Sequence, residues 1–256
     1  MHFARHTPAL RAGTVALLWM IATTIAFGQE PDAPPPKPPR AWTGTAGLGV
    51  SVTSGNSDTT NFNVAFDITR DPKTRNVLKL TGLYMRGDRD GTLSVNRTSI
   101  GLRDQYRING HAFVFGQVDY LRDTFKLIDY LIAPTAGLGY KIVDTEPTVF
   151  SIDLGGGAVW EKNPDAGVST SAAVTVGEKL THQLTATTAL KQGTSALWDA
   201  DNIRDGLYTF SLGLATRIST HFELTVDLLD TFKSRPPTEE TQRNDVAIVT
   251  AFTAKI

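Results

Sequence analysis

The sequence contains no cysteine among its 256 residues. Without cysteine, the chain has neither a disulfide framework nor a residue that could carry a lipid anchor at a cleavage point. Its fold must therefore be stabilised by hydrogen bonding and by the burial of apolar surface alone.

The chain also lacks an excess of charge of one sign and, after Gly28, any long apolar run. Its formal net charge is -1, and no cluster of lysine and arginine stands out. This balance argues against nucleic acid as a partner. The longest apolar segments beyond Gly28 fall short of the ~20 residues that a transmembrane helix requires. The composition therefore excludes a nucleic-acid-binding protein and a helical membrane protein.

The N-terminus has the features of an export signal. Arg5 and Arg11 precede an apolar run at 15–22, and small residues stand at Ala26 and Gly28, which predicts a signal peptide over residues 1–28. Residues 29–41 are rich in proline and charge, which is typical of an extended periplasmic linker. We treat residues 42–256 as one domain.

Apolar and polar side chains alternate along this domain with a period of two. In 42–53 the even positions are apolar or small and the odd positions are hydroxylated or glycine, which predicts a β-strand with one apolar and one polar face. Turn residues divide the domain into twelve such segments. The predicted strands are 42–54, 60–70, 76–86, 94–107, 112–121, 130–143, 148–160, 169–180, 183–192, 206–218, 222–232 and 245–256.

The connections between these segments favour an all-β transmembrane barrel, antiparallel and up-and-down. Turns after even-numbered segments are short, whereas most loops after odd-numbered segments are longer, notably 193–205 and 233–244. Short periplasmic turns and long external loops are typical of outer-membrane barrels with an even number of strands. A soluble β-sandwich or lipocalin-like barrel remains the alternative, because its strands alternate as well. Pro134 lies inside a predicted strand and suggests a bulge there.

Aromatic residues are predicted to form two girdles at the membrane interfaces. The periplasmic girdle consists of Trp42, Tyr106, Tyr140, Phe150 and Phe222. The outer girdle consists of Tyr84, Tyr120, Tyr130, Trp160 and Tyr208.

The opposite face of the strands is predicted to place charges of both signs in the lumen. This lumen network comprises Asp67, Lys79, Arg97, Arg103, Asp119, Lys141, Asp153, Lys179, Glu223 and Asp227. Charges in a poorly hydrated space tend to pair, which favours structural salt bridges over a conducting pore. Glycines on the same face favour the pore, because they leave space unfilled.

The sequence predicts no catalytic residues, no metal site and no cofactor. The three histidines of the domain, His111, His182 and His221, all fall in predicted periplasmic turns without an adjacent nucleophile. We therefore interpret them as polar turn residues and the protein as non-enzymatic.

Several segments resemble the uncharacterised family of salt-induced outer-membrane proteins. The similar residues are 42–44, 47–57, 122–125, 128–130 and 137–140, followed by Ser234, Pro236 and Asp245. The resemblance implies an outer-membrane location and a link to salt or osmotic stress, and it supplies no reaction. Ile256 departs from the aromatic residue that often ends such chains.

The sequence thus predicts an outer-membrane β-barrel that acts as a narrow pore or stabilises the envelope. Its expected partners are outer-membrane lipid and lipopolysaccharide, the barrel-assembly machinery, and small solutes or ions. Two alternatives stay open, namely a lipid-modifying barrel enzyme and a soluble periplasmic binding module.

Overall fold

The chain forms a closed antiparallel barrel of twelve strands, which confirms the predicted fold class. The computed structural model describes residues 41–54, 59–89, 92–124, 126–164, 166–236, 238–239 and 241–255. The predicted signal peptide and the predicted linker up to residue 40 lie outside these residues. Within the described part of the chain, no helix is long and apolar enough to cross a membrane.

The strands follow one another around the barrel in chain order. They are β1 (Trp42–Ser54), β2 (Thr59–Arg70), β3 (Asn76–Arg89), β4 (Thr92–Arg107), β5 (Ala112–Asp123), β6 (Ile128–Asp144), β7 (Thr148–Lys162), β8 (Val168–Gln183), β9 (Thr188–Asp199), β10 (Gly206–Arg217), β11 (Phe222–Lys233) and β12 (Asn244–Lys255). The barrel closes where β1 pairs with β12, from Thr45 opposite Lys255 to Ser54 opposite Val246. Each strand therefore pairs on both sides, and the sheet has no free edge.

The two ends of the barrel hold different sets of connections between strands. We call the end with the start of β1 and the end of β12 the terminal rim; it holds the turns 71–75, 108–111, 145–147, 184–187 and 218–221. The other end, which we call the loop rim, holds the connections that follow odd-numbered strands.

The alternation in β1 separates an inner from an outer face. Ser51 and Thr53 point into the barrel and are 1% and 3% exposed, whereas Leu48 and Val50 point outward and are 58% and 55% exposed. Successive side chains of a strand lie on opposite faces. The outer surface of β1 is therefore apolar and its inner surface polar.

Tight turns at the terminal rim share one hydrogen-bonding device. The side-chain oxygen of Asn109 accepts hydrogen bonds from the backbone N–H groups two and three residues ahead, at 2.9 and 2.7 Å. Thr185 and Ser219 do the same in their own turns. Side chains that mimic a backbone turn in this way fix short connections, and in the turns of Thr185 and Ser219 they do so without glycine. This device determines where β8 ends and β9 begins.

The structure corrects the predicted boundaries of β8 and β9. The predicted turn at 181–182 is wrong, because β8 runs on to Gln183 and the turn lies at 184–187, around Thr185. The predicted loop 193–205 is wrong as well, since β9 continues to Asp199 and only 200–205 connect it to β10. The error arose because a hydroxyl-based turn carries no glycine, proline or asparagine.

Two further expectations about the connections need correction. The predicted difference in loop length holds only in part. The connection 234–243 is long, but 55–58, 90–91 and 124–127 are no longer than the turn 71–75, since strands such as β3 and β7 extend into what was predicted as loop. Pro134 causes no bulge, because the β6–β7 register is the same before it, at Ile132 opposite Trp160, and after it, at Thr135 opposite Gly157. The missing N–H is accommodated by a local break in that ladder.

Asp71 links two turns of the terminal rim. Arg107 donates to both of its carboxylate oxygens, at 3.3 and 2.8 Å, and the Lys73 backbone N–H donates to Oδ1 at 2.9 Å. Partial burial alone would raise the pKa of Asp71, but the bonds from Arg107 and Lys73 outweigh it and lower the pKa to about 2. The folded barrel therefore holds this carboxylate ionised.

We expect Asp71→Asn to reduce stability by about 1 kcal/mol, the upper end of the range for ion pairs at a protein surface, because this pair is partly shielded from solvent. Because the folded-state pKa is depressed, the contribution of Asp71 is complete well above the usual pKa of 3.8 and is lost as the pH falls through about 2. Urea unfolding of the refolded wild type and variant at several pH values measures it. A stability difference that persists unchanged at the lowest pH would contradict the assignment.

Candidate functional site: the lumen of the barrel

The lumen is lined by the inward faces of the strands, and the ten residues of the predicted network all lie on those faces. Several of these residues form ion pairs. Lys79 contacts Asp67 at 2.9 Å, and Lys141 contacts Asp144 of its own strand at 2.7 Å. A third cation near the terminal rim, Lys255, contacts Glu223 at 3.0 Å.

Arg103 occupies the centre of the lumen network. Its guanidinium lies 2.8 Å from Asp153 on β7 and donates to Gln117 Oε1 on β5 at 2.8 Å. The same group lies 3.8 Å from the ring centroid of Phe115, and Gln117 in turn donates to Asp119. Arg103 and Asp153 are 11% and 8% exposed, so the pair is shielded from solvent. One side chain of β4 thereby connects the walls formed by β5 and β7.

Arg97 makes a second connection, nearer the loop rim. It lies 3.3 Å from Asp123 and donates to Thr231 Oγ1 at 3.0 Å, which links β4 to β11. Asp119, Lys179 and Asp227, by contrast, make none of the ion pairs found in the described part of the chain, although Asp119 accepts a hydrogen bond from Gln117. The structure thus joins seven of the ten predicted residues into pairs and leaves these three facing the lumen.

Most of the inward glycines leave little empty space beside them, contrary to expectation. A carboxylate oxygen of Asp153 lies 2.7 Å from where a Cβ of Gly177 would be, and the Asp227 carboxylate covers Gly213 in the same way. The ring of Phe113 fills the space beside Gly139. Large side chains lie over these glycines. The glycine positions therefore do not widen the lumen.

Ion pairs at the loop rim were missed by the sequence reasoning. Lys126 is fully buried, lies 2.8 Å from Asp245 and donates to the Arg243 carbonyl at 2.6 Å. Lys233 pairs with Glu161. Parity would have identified Glu161 and Lys233 as inward-facing, had the predicted β7 and β11 been extended by one or two residues.

An apolar layer inside the lumen was also missed. One cluster joins Leu121, Ile128, Leu131, Ala133, Val159 and Ala173, with Leu197 and Leu207 packed against it. A second cluster joins Met85, Val95, Ala247 and Val249, with Leu83 and Leu229 packed against it. The alternation within the predicted strands already places several of these leucines on the inner face. It does not show that they meet in clusters.

Two of the cavities that the described residues form lie in the lumen. The larger, which we call the central chamber, has a volume of about 500 Å³ and is lined by Arg97, Gln117, Asp119 and several hydroxyl groups, together with leucines. The smaller, which we call the vestibule, has a volume of about 290 Å³ and lies at the loop rim beside Glu161, Asp199, Asp205, Lys233 and Arg235. Burial raises the pKa of Asp205 in the connecting loop. Both cavities carry polar groups that can hold water.

The predicted girdle residues all point outward. The five assigned to the periplasmic side lie near the terminal rim: Trp42, Tyr106, Tyr140, Phe150 and Phe222. The five assigned to the outer side lie near the loop rim: Tyr84, Tyr120, Tyr130, Trp160 and Tyr208. Trp198 was predicted to lie in a loop. It donates from Nε1 to the Tyr208 hydroxyl at 2.7 Å and so joins the outer girdle.

The histidines occupy different settings. His111 and His221 lie in turns, as predicted, and the His111 ring stacks on Tyr140 with centroids 5.7 Å apart. The prediction for His182 is wrong, because it lies within β8 and its Nδ1 is 2.7 Å from Thr148 Oγ1. No group of three or more His, Asp or Glu residues that could hold a metal ion occurs in the described ranges.

The barrel resembles known porins in structure. The NanC porin superposes with a TM-score of 0.56 at 8% identity, covering 82% of this chain and 100% of that one. The KdgM porin in complex with disordered oligogalacturonate has a TM-score of 0.48 at 6% identity, covering 82% and 98%. The anion-selective porin from Comamonas acidovorans has a TM-score of 0.42 at 9% identity, covering 84% and 98%. At such identities the NanC likeness shows a shared barrel fold.

Sequence comparison identifies the family. No curated protein matches the sequence. The family model described as "Protein of unknown function, DUF481" matches residues 46–255, which span nearly the whole barrel. The chain therefore belongs to the DUF481 family of proteins of unknown function.

Proposed function

We propose that this protein is a non-enzymatic outer-membrane barrel that acts as a narrow channel for small solutes or ions. The observation that carries the proposal is a closed barrel with polar cavities inside and an apolar surface outside. Leu138 and Leu154 on the outer surface are 63% and 60% exposed, an unfavourable arrangement in water. A lipid bilayer would cover this surface, because a closed barrel satisfies its backbone hydrogen bonds internally.

The aromatic residues support a membrane orientation. Tyrosine and tryptophan prefer the two membrane interfaces, and the outward rings of this barrel lie near its two rims. We place the terminal rim in the periplasm, since its tight turns are the kind that outer-membrane barrels carry there. Outer-membrane lipid and lipopolysaccharide would then surround the barrel, and the barrel-assembly machinery would insert it.

The lumen network is proposed to set the width of the channel. Charges of both signs cross the lumen, and the pairs of Arg97 and Arg103 each bridge strands on different parts of the wall. Such pairs fill space and fix the wall rigidly. A channel of this kind would pass small solutes with little preference for the sign of their charge.

The proposal is tested by planar-bilayer recording of the refolded protein. We expect discrete conductance steps that are small for a barrel of this strand number, with weak ion selectivity. The refolded protein should also migrate differently on gels before and after boiling, as membrane barrels do. Absence of conductance steps from a folded, heat-modifiable barrel would contradict the channel, and a soluble chain without heat modifiability would contradict the membrane location.

A structural role in the envelope is the second candidate, and the ion pairs inside the lumen favour it. The resemblance to salt-induced proteins supports a role under osmotic stress for both candidate functions. Equal abundance of the protein in cells grown at low and at high external salt would contradict that link. Turnover of phospholipid or lipid A by the purified barrel would instead support the enzyme alternative.

A further inference from the structure

Three leucines stand between the two cavities of the lumen. Leu131, Leu197 and Leu207 line both the vestibule and the central chamber, so they lie where the two cavities adjoin. We call these three residues the leucine collar. Leu197 and Leu207 are direct partners on β9 and β10, and Leu131 projects from β6.

The collar separates two polar compartments. On the vestibule side lie Glu161 and Lys233, and on the chamber side lie Arg97 and Asp119. Water can occupy both sides, whereas the three side chains between them offer no hydrogen-bond partner. Where the two cavities adjoin, this part of the wall is therefore apolar.

The collar is continuous with the apolar lining of the wall. Leu131 is 3% exposed and belongs to the cluster with Val159 and Ala173, and Leu197 and Leu207 pack against that cluster while remaining half-buried. Residues that serve only to fill a core would be enclosed on all sides. These two leucines instead present one side to open volume.

We propose that the leucine collar is a hydrophobic gate that slows the passage of hydrated ions through the channel. An apolar constriction in a narrow path loses its water, and an ion that passes it must give up hydration without compensation. The collar therefore determines selectivity: it resists ions and admits small uncharged solutes that have some apolar surface. This inference rests on the proposed channel function.

Asparagine substitution tests the gate because asparagine has nearly the shape of leucine but is polar. In Leu197→Asn/Leu207→Asn we expect the ion conductance in planar bilayers to rise about tenfold, which corresponds to a barrier lower by about 1.4 kcal/mol. The matched control is Leu83→Asn/Leu229→Asn, because these leucines line the central chamber but not the vestibule. The control should conduct as the wild type does.

The outcomes separate the gate from the channel itself. Equal conductance of the wild type and the collar variant, or an equal rise in the control, overturns the gate and leaves the channel intact. Silence of the wild type and of every variant, with heat modifiability retained, overturns the channel and the gate with it. If the double variant does not refold, the single variants Leu197→Asn and Leu207→Asn are measured against Leu229→Asn, with the same outcomes deciding.

Discussion

Replacing Arg103 by methionine should lower the free energy of unfolding by about 3–5 kcal/mol, the range for breaking a buried ion pair by removing one partner. Methionine retains much of the volume and the contact with Phe115, but it leaves the Asp153 carboxylate shielded and without its cation. It also removes the donor to Gln117. The loss is large because an uncompensated charge remains inside the barrel.

Urea unfolding of the barrel refolded in lipid, followed by tryptophan fluorescence, measures this loss. The matched control is Lys162→Met, which removes a cation 3.7 Å from Asp129 in a pair whose members are 41% and 45% exposed. An exposed pair contributes about 0–1 kcal/mol. The double variant Arg103→Met/Asp153→Leu should recover much of the stability, since it removes the orphaned charge as well. A loss at Arg103 no larger than at Lys162 would show that the central pair is not structurally important.

Gly49→Ala should prevent the barrel from closing. A Cβ at Gly49 would collide with the backbone carbonyl of Thr250 and lie 2.7 Å from the Ala251 Cα, both on β12. These are main-chain atoms of the seam between the first and last strands, so no side-chain movement can relieve the clash. Overpacking already costs about 1–3 kcal/mol where side chains can adjust, and we expect a greater loss here.

The heat-dependent gel shift after refolding reports the closed fraction. Gly116→Ala is the matched control, because Gly116 also lies within a strand but a Cβ there meets no atom within 4 Å. The control should close as fully as the wild type, whereas Gly49→Ala should stay largely in the unfolded band. Equal closed fractions for the two alanine variants would disprove the steric argument.

The strand count was predictable because one physical rule governs all twelve strands. A wall with lipid outside and a polar lumen inside requires alternation at every strand, so the signal recurs and each occurrence supports the others. The start of β1 at Trp42 and the end of β4 at Arg107 agree with prediction to the residue. The turn at Thr185 was predicted at the wrong place, because hydroxyl groups also occur inside these strands.

The contents of the lumen were harder to predict. Parity assigns a residue to the inner face but says nothing of its height or its partner across the barrel. The pairing of Arg103 with Asp153, and not with another inward acid such as Asp119, depends on the tilt and stagger of the strands. The leucine collar likewise becomes visible only when β6, β9 and β10 are brought together around the axis.

Because β1 pairs with β12, and the start of β1 and the end of β12 lie at the rim that holds the tight turns, the order of strands around this barrel is cyclic. A circular permutant opened within 184–187, with Lys255 joined by a short linker to Trp42, would retain each of the strand ladders. The chain termini, and with them the attachment point for a fused domain or a probe, could therefore be moved to another turn of the terminal rim without changing the strand pairing.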